Sequence, residues 1–75
     1  MLAVLEALTL STDYLAKKGI ESARLNAELF LADILECKRL ELYMQFERPL
    51  SEDELNKYRA MIARRGKFEP LQYIL

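Results

Sequence analysis

The sequence has no histidine and a single cysteine, Cys37. Without an imidazole to act as base, Ser-His-Asp and Cys-His nucleophilic catalysis are excluded. One thiol forms no intrachain disulfide framework and leaves a zinc site without its usual donors. The composition fits a reducing cytoplasm. Cys37 closes an apolar helical pattern and reads as a small buried hydrophobe rather than a reactive thiol. No apolar run reaches the roughly 18–20 residues of a membrane span. The opening "MLAVLEALTLSTDYLAKKG" carries Glu6 and Asp13 and lacks a basic start, so it does not read as a signal peptide. There is no glycine-rich phosphate cradle, no metal set and no nucleophile beside a base. A basic excess is missing too, since 11 Lys and Arg face 12 Asp and Glu. Residues 1–37 hold three basic and six acidic side chains, and residues 38–75 hold eight and six. That asymmetry is too mild for the basic face of a nucleic-acid module.

What remains is one small domain of 75 residues, half of them hydrophobic. That richness argues against disorder. β-Branched aliphatics are few, and leucine, alanine, glutamate and lysine dominate. These are helix formers, and no period-2 alternation is long enough for a sheet. The pattern predicts an all-α fold, a small bundle of four helices plus a short C-terminal helical turn.

The two glycines and two prolines fall where helices should stop. A first helix is predicted over about residues 2–18, with Leu5, Leu8, Thr12 and Leu15 on one face and Val4 beside them. Lys17, Lys18 and Gly19 form its stop signal. A second helix is predicted over about residues 23–36, with Ser22 as N-cap. Leu25, Leu29 and Ala32 line one side of it, while Ala27, Phe30, Leu31, Ile34 and Leu35 cover much of the rest. So wide an apolar arc makes it the central helix. Glu28 projects into that arc and reads as a structural carboxylate, paired with Arg24 one turn back or with an arginine from a neighbouring helix.

The third helix, "KRLELYMQF", is about two turns long. Leu40, Tyr43 and Met44 form one apolar side of it and Leu42 and Phe46 another, a pattern that reads as core packing. Arg48-Pro49 ends it, because a residue before proline avoids the α region. "SEDE" at residues 51–54 is a capping box that opens a fourth helix. Leu55, Tyr58, Met61 and Ile62 form its buried face, Arg64 and Arg65 lie in its last turn, and Gly66 ends it. Arg65, at the edge of that face, either snorkels to water or reaches a neighbouring domain. Pro70 suits the first turn of a final helical segment, residues 70–74.

The chain closes on "RRGKFEPLQYIL", with apolar Leu71, Tyr73, Ile74 and Leu75 at its very end. Chain ends are usually polar and frayed, so the segment is expected to continue into something more. "ARLNAELFLADIL" and "RLELYMQFERPLSEDELNKYRAMIARRGKFEPLQYIL", in that order, resemble the N-terminal domain of the HemK/PrmC family. Members of that family are S-adenosylmethionine-dependent protein-(glutamine-N5) methyltransferases acting on peptide-chain release factors. The resemblance runs from about residue 2 to residue 75 and is most specific at two places. At Arg24-Leu25-Asn26-Ala27-Glu28-Leu29 the family usually has aspartate in place of Asn26. At Arg64-Arg65 and Glu69-Pro70-Leu71-Gln72-Tyr73-Ile74-Leu75 it usually has glycine where Phe68 stands.

The resemblance implies that residues 1–68 form a substrate-recognition domain and residues 69–75 begin a linker to a catalytic domain. The family's cofactor glycines and its Asn-Pro-Pro-Tyr motif occur nowhere in the sequence. The chain itself is therefore expected to bind no cofactor, S-adenosylmethionine belonging to the full-length enzyme, and to have no catalytic or metal-binding residue. Its implied partners are the release factor and its own catalytic domain, in the cytoplasm, with no nucleic acid and no membrane. Candidates for partner contact are Arg64, Arg65, Gln72 and Tyr73, the polar or amphipathic groups at the junction.

Other classes fit less well, a stand-alone helical interaction module being the general alternative. An acyl-carrier protein presents its serine in an Asp-Ser-Leu string, but Ser11, Ser22 and Ser51 follow Leu10, Glu21 and Leu50. A helix-turn-helix DNA reader could use "KKGIES" as its turn, yet the helix after it is apolar and would bury rather than read bases.

Overall fold

Helix signals in the sequence become helices at nearly the predicted places. The computed structural model describes residues 2–75. Its elements in order are α1 (Val4–Lys17), α2 (Ala23–Leu35), a 3-10 helix (Arg39–Met44), α3 (Glu52–Gly66) and the single turn α4 (Leu71–Ile74). Among the described residues the one β feature is an isolated bridge between Ala3 and Pro49.

The start of α1 is capped by the loop that precedes α3. Val4 and Leu5 N–H donate to the carbonyls of Arg48 and Phe46 at 2.9 and 3.1 Å. The Glu6 carboxylate accepts from Ala3 N–H at 3.0 Å. These contacts satisfy amides that a helix start leaves without intrahelical partners. The other end closes as a Schellman motif. Gly19 sits at φ +83°, with Gly19 N–H on Ala16 C=O and Ile20 N–H on Leu15 C=O, both at 3.0 Å. The inward face of α1 is Val4, Ala7, Leu8 and Leu15. Leu5, expected inside, is 41% exposed. Successive residues are about 100° apart around a helix, so a face centred on Val4 and Leu8 turns Leu5 to the rim.

Helix α2 is central, as its wide apolar arc implies, and it touches α1, α3 and the 3-10 helix. Ala27, Phe30, Leu31 and Ala32 are buried along it. The expectation for Leu25 fails, because the inward arc centres on Ala27 and Leu31 and leaves Leu25 exposed. Ser22 does hold the cap position, but its backbone is left-handed at φ 54° and its side chain caps nothing. An N-cap hydroxyl reaches the first-turn amides from extended backbone. Asn26 instead ties the first turn to the preceding carbonyl, donating from Nδ2 to Ser22 C=O at 2.9 Å.

The third helical segment is 3-10, and its packing differs from expectation. Leu42 alone is fully buried, whereas Leu40, Tyr43 and Met44 face outward. With three residues per turn, Leu40 and Tyr43 eclipse one another on a single edge, and that edge lies on the surface.

At α3 the capping box forms as read. Ser51 Oγ accepts from Glu54 N–H at 3.1 Å, and Glu54 Oε1 accepts from Ser51 N–H at 2.9 Å. Arg48 adds a bidentate pair to the same carboxylate at 3.1 and 3.0 Å. Tyr58 and Ile62 are buried, and Leu55 and Met61 half-buried. The Tyr58 hydroxyl donates to Ala27 C=O at 3.0 Å, and burial pushes this phenol up to about 12. Ile74 docks α4 on the core.

Arg48, first, and then the Ser51 backbone amide hold the Glu54 carboxyl down at about 2, against an ordinary 4.5. A depressed carboxyl pKa adds stability above its unfolded value and loses it as pH falls through the folded value. Urea unfolding between pH 4.5 and about 2 should therefore show declining stability, and Arg48→Met should flatten that decline.

Candidate functional site

Two polar side chains in the first turns of α2 gather the rest of the chain around them. Glu28 is 1% exposed. Its carboxylate accepts from Arg24 Nε at 2.8 Å, from Arg39 Nη1 at 2.8 Å and from the Tyr43 hydroxyl. Burial alone would push this carboxyl up, but the hydrogen bonds from Tyr43, Arg39 and Arg24 outweigh it and hold the group below its ordinary value. Glu28 is thus an ionised fastener and not a proton donor near neutral pH. Both expected pairings occur at once, one within α2 and one to the 3-10 helix. Breaking a buried ion pair costs about 3–5 kcal/mol. The lower end applies here, because both arginine side chains are about two-fifths exposed and can rehydrate.

Asn26, 6% exposed, is the second fastener. While Nδ2 donates to Ser22 C=O, its Oδ1 accepts from Arg65 Nε at 2.9 Å. Arg65 Nη1 continues to the Glu69 carbonyl at 3.0 Å. Arg65 therefore joins α2, α3 and the C-terminal segment instead of snorkelling to water. Arg64 grips the same segment from outside. Its Nε donates to Glu69 Oε2 at 2.8 Å, its Nη2 to Glu69 Oε1, and Nη2 also reaches the Tyr73 carbonyl at 3.1 Å. That guanidinium holds the Glu69 carboxyl below its ordinary value.

Of the four sequence candidates, both arginines are engaged within the chain, while Gln72 and Tyr73 present exposed side chains. Tyr73 is 71% exposed, and Phe68 and Leu75 lie open nearby in sequence. Sequence reasoning did not assign Asn26 or Glu69 a role in the clamp. A polar residue inside the apolar arc of α2 was the available signal for Asn26. Between the two arginines and Glu69 the chain turns through Phe68, which sits at φ +68°. That left-handed conformation suits glycine, which is what the related family usually has there. Among the described residues, no three His, Cys, Asp or Glu side chains stand close enough to hold a metal ion.

Fold and site together define a small all-α domain whose last turn is clamped onto its body by paired arginines. The chain belongs to the PrmC N-terminal domain family, which it matches over residues 6–75. It is 49% identical over 72 residues to a release factor glutamine methyltransferase of Leptospira interrogans, covering 96% of this chain and 25% of that protein. The protein of the same name from Geobacter sulfurreducens is 52% identical over 62 residues, covering 83% and 22%. The one from Chlorobaculum tepidum is 42% identical over 72 residues, covering 96% and 24%. The chain thus spans about a quarter of the length of these curated relatives. No solved structure matches it.

The left-handed Phe68 gives the sharpest local test. An L-residue there carries a penalty of roughly 1–2 kcal/mol, while glycine loses about 0.5–1 kcal/mol more backbone entropy on folding. Since the Phe68 ring is mostly exposed, Phe68→Gly should stabilise the domain by about 0.5–1 kcal/mol. Thermal unfolding should show a Tm several degrees higher.

Proposed function

We propose that this chain is the release-factor-recognition domain of an S-adenosylmethionine-dependent protein-(glutamine-N5) methyltransferase acting on peptide-chain release factors. The clamp carries this reading. Arg64 and Arg65 fix the course of Glu69–Tyr73 while Gln72 and Tyr73 stay outward. The shared name of the relatives supports the same conclusion.

In this reading residues 1–68 grip the protein substrate, and residues 69–75 begin the link to the catalytic domain. Gln72 and Tyr73 contact a partner directly. Arg64 and Arg65 act at one remove, as positioning residues that set the direction of the link. Interaction with a remote part of the release factor is then converted into orientation of its target glutamine, which lowers the entropic part of the barrier. The methyl donor is bound by the catalytic domain, and no methyl transfer occurs on this chain. The setting is the cytoplasm, in keeping with a described chain that has no helix long and apolar enough to cross a membrane.

The test compares two substrates of the full-length enzyme: the intact release factor, and a short peptide bearing its target glutamine. Arg64→Ala with Arg65→Ala should raise KM for the intact factor about tenfold, a loss of orienting contact. The rate on the peptide should not change. Equal effects on both substrates, or none on either, would contradict the reading.

A further inference from the structure

The two arginines at the junction are held in unlike ways. Arg64 lies outside, its side chain 47% exposed against a Glu69 side chain that is 35% exposed. An ion pair that open contributes little and is screened by salt. Arg65 is half-buried and in no ion pair among the described residues. Two neutral oxygens hold its guanidinium instead, Asn26 Oδ1 at 2.9 Å and the Glu69 carbonyl at 3.0 Å. The bonds leave from different nitrogens, Nε and Nη1, of one rigid plane. Fixing that plane at α2 therefore fixes where the Glu69 carbonyl lies, and with it the start of the segment that carries Gln72 and Tyr73.

Asn26 is the fixed end of this linkage. It is 6% exposed, and its Nδ2 donates to Ser22 C=O at 2.9 Å. That bond orients the amide and turns Oδ1 towards Arg65. One end of the side chain is thus tied to the backbone of its own helix and the other to α3. A separate bond also joins these helices, from the Tyr58 hydroxyl to Ala27 C=O at 3.0 Å, two turns before Arg65 along α3. The packing of α2 on α3 therefore does not rest on Asn26 alone. What does rest on it is the angle of the Arg65 guanidinium, and so the course of the chain after Phe68.

We infer that Asn26 is a positioning residue for the methyl transfer, acting through Arg65 and the Glu69 carbonyl without itself touching the release factor. The inference rests on the function proposed above and adds to it a buried residue of another helix, 39 positions from Arg65. It also divides the work between the two arginines. The fork of Arg65 sets the direction of the link, and Arg64 closes the segment from outside. Because both acceptors of Arg65 are neutral, the shape of its guanidinium matters here more than its charge.

The test uses the full-length enzyme with the intact release factor and with the short glutamine peptide. Asn26→Ala should raise KM for the intact factor about fivefold with kcat little changed, and leave the peptide rate as it is. Combined with Arg65→Ala it should raise KM no further than Arg65→Ala alone, since residues acting as one linkage are not additive. Asn26→Asp keeps the acceptor oxygen and loses the donor to Ser22, and should bring KM back to within about twofold of the unaltered enzyme. Arg65→Lys leaves α2 untouched, keeps the charge and removes the fork, and should raise KM as much as Arg65→Ala. The inference is overturned if Asn26→Ala affects both substrates alike or multiplies with Arg65→Ala. It is equally overturned if Asn26→Asp behaves as Asn26→Ala, or if Arg65→Lys keeps the original KM. A raised KM from Arg64→Ala with Arg65→Ala, but none from Asn26→Ala, would remove this inference and leave the proposed function standing. No effect from either would contradict both.

Discussion

Two buried polar side chains in one short stretch of α2, Asn26 and Glu28, organise most of what surrounds the core. Each makes hydrogen bonds that no apolar residue could replace. Glu28 binds the Arg39 guanidinium and the hydroxyl of the half-exposed Tyr43, and so holds the 3-10 helix against α2. Asn26 binds the Ser22 carbonyl at the start of its own helix and holds Arg65, and through Arg65 the C-terminal segment. A domain of this size buries only about 60–65% of the surface its unfolded chain exposes. Its hydrophobic margin is correspondingly thin, so directional contacts at the edge of the core decide where the peripheral segments lie. With both polar groups fully engaged, the site avoids the penalty of a buried group without a partner.

The consequence for function is geometric. An exposed tyrosine and glutamine at the end of a loose tail would be poor recognition elements, because binding would have to order the tail first. Here the turn that carries Gln72 and Tyr73 is held by Ile74 in the core, by two arginines and by the fixed ring of Pro70. Arg64 and Arg65 are engaged as internal fasteners of that turn rather than as free charges.

Helix boundaries were the most legible part of the sequence, because they depend on local chemistry. Gly19 and the Ser51–Glu54 capping box each act within their own few residues and do in the structure what their types predict, while Pro70, expected in the first helical turn, stands just before it at the cap position. The resemblance to a known family was equally plain, since long runs of the chain carry it. Which apolar side chains are buried was less legible. Leu5 and Leu25 differ from their buried neighbours only by rotation about the helix axis, and that rotation is set by partners distant in sequence. Leu40, Tyr43 and Met44 were misplaced because the segment winds at three residues per turn, which the α-helical spacing rule does not describe. The clamp was illegible for the same reason. Arg65 meets Asn26 across 39 positions, a pairing that only the packed helices bring about. Ser22 failed as a cap because its left-handed backbone is a product of the tight turn after Gly19.

The central claim is that the last turn is a rigid part of the body, held from α2 through Arg65 and Asn26. The most direct measurement is backbone ¹⁵N relaxation of the full chain across Leu71–Ile74. The clamp predicts order parameters near the rigid-backbone value of about 0.85, matching those of α2 and α3. Values below about 0.6 over the same four residues, with the helices still rigid, would contradict it.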